Sequence, residues 1–262
     1  MTKTILITGA TDGIGLLTAK LLAADGHHIL LHGRSNAKLA AAKTDVGGSS
    51  DGYVADLSRL SEVTALAKSV ARDHPQIDVL INNAGVLKTA QTVTTDGLDV
   101  RFMVNTLAPY ALTRALLAHI PKDGRIINLS SAAQAPVDFD VLAGNTRADD
   151  MSAYSQSKLA ITIWSRALAV ELAGGPMVLA VNPGSLLASK MVKEGFGIAG
   201  NDLMIGADLL RRTAVSEEFA KASGQYYDND AQSFGHPHSA AFDVDHSAKV
   251  MQAIKDALAR LA

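Results

Sequence analysis

Apolar and polar positions along this chain alternate between two periods. Short apolar runs fall at Thr4–Thr8, His28–Leu31, Gly52–Ala55, Val79–Ile81, Arg125–Leu129 and Met177–Val181, with a weaker run at Gly224–Tyr227. Each has the length of a strand buried on both faces. Between them the spacing turns helical. Ile14, Leu17, Leu21 and Leu22 form one stripe, Val63, Leu66, Ala67 and Val70 a second, and Val250, Ile254, Leu258 and Leu261 a third. Such stripes predict helices packed by one face on a core. Strands alternating with helices predict βαβ units and a parallel sheet, and right-handed crossovers place helices on both of its faces. The expected fold is therefore α/β, a single doubly wound parallel sheet of about seven strands spanning residues 1–262. Gln134–Asp150, Ser189–Asn201 and Asp228–His238 read as loops, at the strand ends where such folds bind ligands.

Composition narrows the chemistry. The chain has 262 residues, 48% of them apolar and 19% charged, as in ordinary globular domains. It contains no cysteine, which excludes disulfides, a thiol nucleophile and thiolate metal sites. With 24 basic and 26 acidic residues the net charge is −2, which gives no electrostatic case for nucleic acid or an anionic membrane. The Thr4–Thr8 run is too short for a signal peptide, and nothing approaches the roughly 18 apolar residues of a spanning helix. A soluble, cytoplasmic protein is expected, without membrane association.

The first predicted strand runs straight into Thr8-Gly9-Ala10-Thr11-Asp12-Gly13-Ile14-Gly15, which opens the first helix. Its G-x-x-x-G-x-G spacing is a variant of the dinucleotide fingerprint of Rossmann folds. Gly9 would permit the tight turn, Gly13 the approach of a pyrophosphate, and Gly15 close helix–sheet packing, with the helix N-terminus facing phosphate. The second strand ends in His32-Gly33-Arg34-Ser35. An enzyme for NAD usually carries an acid at the position of Gly33 to hold the ribose 2′-hydroxyl. Arg34 instead suits a 2′-phosphate, so NADP(H) is preferred, with NAD(H) as the alternative. Asp56, in Val54-Ala55-Asp56-Leu57, either accepts from the adenine amino group or caps a helix.

Tyr154 and Lys158 stand four apart in Tyr154-Ser155-Gln156-Ser157-Lys158, on one face of a helix. A free phenol, with a pKa of about 10, is a poor base at neutral pH. A neighbouring ammonium would lower that value and fit the phenol for proton transfer.

These motifs, taken in order, resemble the short-chain dehydrogenase/reductase family over nearly the whole chain. Thr8–Gly15 is followed by Asn82-Asn83-Ala84-Gly85, Asn105 in Val104-Asn105-Thr106, Asn128-Leu129-Ser130-Ser131, Tyr154 to Lys158, and Pro183-Gly184. The resemblance implies hydride transfer between a carbonyl or alcohol and a nicotinamide cofactor, with Asn105, Ser131, Tyr154 and Lys158 as the catalytic set. Tyr154 would be the general acid/base, and Ser131, rather than its neighbour Ser130, would hold the substrate oxygen. Lys158 would hold the nicotinamide ribose, and Asn105 a water of a proton relay. The implied cofactor set comprises Gly9, Thr11, Asp12, Gly13, Ile14, Gly15, Arg34, Ser35, Asp56, Leu57, Asn82, Ala84, Gly85, Asn105, Tyr154, Lys158, Pro183, Gly184 and Ser189. The segment at about 186–212 would be the substrate lid, and homodimers or homotetramers through the Tyr-bearing helix are common in the family. The Ser131-to-Tyr154 spacing, the Ala153–Ala160 string and Gly224-Gln225-Tyr226-Tyr227-Asp228 resemble the retinol dehydrogenase branch, which also holds WW domain-containing oxidoreductases and protochlorophyllide reductases.

There are departures. The family often has Thr a few residues after Pro-Gly to hold the carboxamide, where this chain reads Ser185-Leu186-Leu187-Ala188-Ser189, leaving Ser189 or Ser185 for that contact. Asp138, Asp140, Asp149 and Asp150 either face a substrate or serve as loop acids and caps. Met191, Phe196 and Met204 form an apolar pocket wall or plain core. Trp164 is buried packing or an interface residue. His27-His28 and His236-Pro237-His238 lack the spacing of a catalytic zinc site, so no metal is expected. The alternatives to a reductase are a non-catalytic NADP-binding sensor or scaffold, and a dehydratase or epimerase on the same fold.

Overall fold

The computed structural model describes residues 1–261, without the side chain of Phe196. Its frame is one sheet of eight strands: β1 Thr4–Ile7, β2 His28–Gly33, β3 Ser50–Val54, β4 Val79–Asn82, β5 Arg125–Leu129, β6 Met177–Asn182, β7 Tyr226–Asp228 and β8 Ser233–Gly235. They lie in the order β3-β2-β1-β4-β5-β6-β7-β8. Neighbours pair in parallel throughout, except that β8 runs antiparallel to β7. The chain order reverses between β1 and β4, which opens a crevice at the carboxyl ends of those strands.

Period-two alternation divides the strand residues between two cores. Leu6, Leu30, Leu80, Ile126 and Val178 face one, while Ile5, Ile7, Ile29, Ile81, Ile127 and Leu179 face the other. The helices are α1 Gly13–Ala24, α2 Asn36–Val46, α3 Leu60–Asp73, α4 Val100–Phe102, α5 Ala108–Leu116, α6 Phe139–Ala143, α7 Asp150–Glu171, α8 Lys190–Phe196, α9 Leu203–Val215 and α10 Val244–Leu261. A π-helical turn, Met103–Leu107, joins α4 to α5. Helices α3, α5, α7 and α10 close the first core, and α1 and α9 the second.

Two expectations need correcting. The buried face of α1 is Gly15, Thr18, Ala19 and Leu22, so of the expected stripe of Ile14, Leu17, Leu21 and Leu22 only Leu22 is fully buried. Gly15 lies so close to the chain at Gly9 that small residues must face the sheet. Ile14 turns sideways, and its Cδ1 lies 3.2 Å from where a side chain on Gly206 of α9 would begin. The sheet also has eight strands, because part of the Asp228–His238 loop folds back as β8. Three residues are too few to carry an alternation, and the reversal depends on Gln232 adopting φ 52°. Tyr227, Phe234 and Phe219 pack edge to face around this hairpin, with centroids 5.1–5.8 Å apart. The other two loops likewise contain the short helices α6 and α8.

Candidate active site

The turn from β1 into α1 is built on close contacts that only glycine permits. Gly9 has φ 66°, and a Cβ there would lie 2.9 Å from Ala84 Cα. A Cβ on Gly15 would lie 2.3 Å from the Gly9 carbonyl oxygen and 2.5 Å from Asn83 Nδ2. The Asn83 amide donates to the carbonyls of Thr8 and Gly9, at 2.8 and 3.0 Å. The Ala84 N–H donates to Thr8 Oγ1 at 3.1 Å. From the other side, His32 Nδ1 accepts the Gly9 N–H at 3.2 Å and its Nε2–H donates to the Ala55 carbonyl at 3.0 Å. Burial pushes this imidazole down to about 4, which keeps the neutral tautomer that both bonds require. Neither Asn83 nor His32 belongs to the set read from the sequence.

Helix α1 differs at its start from α2 and α9, which pack beside it, and from three further helices. Ser35, Asp138, Asp149, Ser189 and Asp202 each cap their helix through a side-chain oxygen. Asp12 precedes α1 without such a bond, its carboxylate reaching Lys38 Nζ at 3.3 Å instead. The first N–H groups of α1 thus keep no side-chain acceptor, next to the open space around Gly13. This cradle fits a pyrophosphate. At its rim a Cβ on Gly33 would stand 2.3 Å from Thr11 Cγ2, so Thr11 fills the notch that Gly33 leaves. Arg34 is exposed and pairs with no carboxylate among the described residues. Asp56 caps a turn, accepting the Ser58 N–H at 2.9 Å while its own N–H donates to Glu62 Oε2 at 2.6 Å. Leu57 points into the core, and Asn82 donates inward to Thr113 and Asn128, so both side chains turn away from the crevice.

The proton-transfer candidates meet between β5 and α7. Ser130 is buried, its hydroxyl bonded to the Lys158 carbonyl and to Thr162 Oγ1. That leaves Ser131, whose hydroxyl accepts the Ala133 N–H at 3.1 Å and stands beside the Tyr154 phenol. Lys158 Nζ donates to the Leu129 carbonyl at 2.7 Å and lies 5.6 Å from the Tyr154 ring centroid. The expected lowering of the phenol by Lys158 is absent. Burial holds Tyr154 above its ordinary range, opposed only by the nearby Ser131 hydroxyl, and burial also pushes Lys158 down to about 7. The side chain of Asn105 is fully engaged on the π turn. It accepts the Val86 N–H at 2.8 Å and donates to the Val86 carbonyl and to Ser157 Oγ, both at 3.0 Å. It therefore pins the strand-end loop bearing Gly85 to α7. A Cβ on Gly85 would lie 3.5 Å from Lys158 Nζ and 3.8 Å from Met191 Cε, which places Met191 over the crevice. Met204 is exposed, and the Phe196 side chain lies outside the described residues.

The last third of the chain supplies residues that sequence reasoning missed. Asp230 accepts from Asn182, from the Ser185 N–H and from the Ser185 hydroxyl, and Asn229 donates to the Pro183 carbonyl. Ser185 is thereby engaged, and Ser189 caps α8. Tyr226 donates to the Ser131 carbonyl at 3.0 Å, which Gln134 also bonds at 2.9 Å. Burial, then Asp228 and Asp230, raise the Tyr226 phenol, so it stays a donor. Replacing Tyr226 by Phe should lower kcat about 2- to 10-fold with KM and melting temperature little changed, the worth of one neutral hydrogen bond. Steady-state kinetics on the variant check this. The Asp side chains before Tyr154 are caps and pairs: Asp138 and Asp149 cap helices, Asp140 bonds Asn145, and Asp150 pairs with the buried Arg101. Trp164 is fully buried, edge-on to Tyr110 at 5.6 Å.

A doubly wound sheet with a glycine cradle at its switch point and a Ser–Tyr–Lys cluster beside it defines a class of dinucleotide-dependent oxidoreductase. Residues 3–196 match the short chain dehydrogenase family, and the chain belongs to that family. Within it the chain falls in the retinol dehydrogenase branch. It is 34% identical over 267 residues to human retinol dehydrogenase 13, covering 92% of this chain and 81% of that protein. It is 31% identical to mouse retinol dehydrogenase 12, over 86% of this chain and 77% of that protein. The crystal structure of an uncharacterized protein from Mycobacterium paratuberculosis superposes with a TM-score of 0.81 at 27% identity, covering 97% and 92% of the two chains. The chain is accordingly an oxidoreductase acting on carbonyl and alcohol groups. No helix among the described residues is long and apolar enough to cross a membrane.

Proposed function

We propose that this protein is an NADP(H)-dependent reductase of apolar aldehydes or ketones, with Tyr154 passing the proton. The observation that carries the reading is the meeting of the Tyr154 phenol, the Ser131 hydroxyl and Lys158 beside a cradle that glycines keep open. A bound nicotinamide dinucleotide supplies or accepts the hydride. Gly9, Gly13 and Gly15 would hold its pyrophosphate, and Arg34 its 2′-phosphate.

In reduction, Tyr154 donates its proton to the oxygen as charge develops there, and Ser131 steadies the same oxygen. Burial favours this direction, because a phenol held above its ordinary range stays protonated and ready to give. In oxidation the phenolate that receives the proton must be stabilised, by Lys158 when charged and by the Ser131 hydroxyl beside it. The apolar class of substrate is supported by the names of the two retinol dehydrogenases and by Met191 over Gly85.

The test is a panel of aldehydes, ketones and alcohols with NADPH and NADH, run beside Arg34→Glu. Wild-type should favour NADPH, and the variant should lose about 10- to 100-fold in kcat/KM with NADPH alone, the worth of charge-assisted bonds. A wild-type preference for NADH would overturn the cofactor reading. Gly33→Asp is not an equivalent probe, because its Cβ would collide with Thr11 Cγ2.

A further inference from the structure

At the opposite ends of the strands from the crevice, three residues distant in sequence bring metal-binding atoms together. His28 opens β2, Asp51 lies in β3, and His74 directly follows α3. Asp51 Oδ2 is 3.0 Å from His28 Nε2 and 3.5 Å from His74 Nε2, and all three donor atoms lie within 4.8 Å of one another. Nitrogen and oxygen ligands bound at about 2.0–2.1 Å in a tetrahedral shell stand about 3.3 Å apart, and the two distances to Asp51 Oδ2 lie on either side of that value. We propose that His28, Asp51 and His74 form a site for one divalent transition-metal ion, Zn2+ or a close relative, which clamps the edge of the sheet to the end of α3.

Two further observations bear on this site. His74 Nε2 is buried with no hydrogen-bond partner, a state that costs free energy unless something completes it. The second ring nitrogen of His28 faces the Ser49 hydroxyl, the kind of outer bond that fixes a ligating imidazole. The neighbouring charges are accounted for. Asp73 is taken by Arg72 and by the Tyr53 hydroxyl, at 2.8 and 3.2 Å. Lys43 lines the same open hollow, where it would oppose the cation but favour an anion or hydroxide on its free position. Two imidazoles and one carboxylate, with water at the open face of the half-exposed Asp51, suit Zn2+, Ni2+ or Co2+ over Mg2+ or Ca2+. The two adjacent histidines miss this site when read as a pair, since only His28 takes part. His27 Nδ1 accepts the Lys3 N–H instead.

The experiment uses tag-free full-length protein stripped with a chelator, titrated with ZnCl2 by calorimetry and followed by thermal melting. One Zn2+ should bind per chain, with the melting temperature rising by roughly 5 °C or more at a hundredfold excess over Kd. Asp51→Asn and His74→Gln should each weaken binding by at least about 10-fold, while His27→Gln leaves it unchanged. Co2+ in place of Zn2+ should give visible absorption bands that Asp51→Asn alters. Absence of both heat and melting shift in the wild type would overturn the site, as would wild-type affinity in both ligand variants. Should His74→Gln fail to fold, Asp51→Asn, at a half-exposed position, decides alone.

Discussion

Tyr154→Phe is expected to lower kcat about 10²- to 10⁴-fold, the usual contribution of a positioned acid or base, while NADPH binding and the melting temperature stay near wild-type. The fold has no need of the hydroxyl, which stands beside Ser131 and anchors no element among the described residues. The loss should appear equally in kcat and kcat/KM, as when an interaction made only in the transition state is removed. Ser131→Ala provides the comparison. It should fall short of the Tyr154→Phe loss, because it removes stabilisation of the oxygen but leaves the proton donor in place. Single-turnover kinetics with NADPH separate the chemical step from product release. Wild-type turnover in Tyr154→Phe on a reactive aldehyde would end the assignment.

The second large effect is structural. Gly15→Ala places a Cβ 2.3 Å from the Gly9 carbonyl oxygen and 2.5 Å from Asn83 Nδ2. Backbone cannot yield as a flexible side-chain end can, so α1 must shift away from the turn. Overpacking of this kind costs about 1–3 kcal/mol of stability, and the displaced helix start should abolish measurable dinucleotide binding. Gly13→Ala separates the two demands. Its Cβ would meet nothing within 4 Å, so its cost comes from φ 56° alone, about 1–2 kcal/mol. Denaturant melts and fluorescence titration with NADPH check both variants. Equal binding loss in the two would show that close packing at Gly15 is not what shapes the cradle.

The parts of the site legible in the sequence are those whose reason is local. Gly9, Gly13 and Gly15 are demanded by a turn and a helix start within eight residues, and Tyr154 and Lys158 by one turn of helix. What stayed hidden has partners far along the chain. Asn83 acts on carbonyls more than seventy positions earlier, Tyr226 on a carbonyl 95 positions earlier, and Asp230 on Ser185, 45 positions earlier. Periodicity mis-set α1 for a related reason. It records which residues are apolar, whereas the side facing the sheet was chosen by a glycine contact that hydropathy does not register. The pull expected of Lys158 on Tyr154 also failed on a non-local ground. The spacing put the two on one face, but burial outweighs the pairing, raising the phenol and lowering the ammonium.

The clamp that Tyr226 and Asp230 place on Ser131 and Ser185 makes the β7–β8 hairpin part of the site's scaffold. A domain folds as a unit, and α1 itself rests on α9, far along the chain. Cutting the chain before β7 would therefore take the last support from the serine that would face the substrate, while the contacts of Asn83 with the glycine turn lie wholly upstream of the cut.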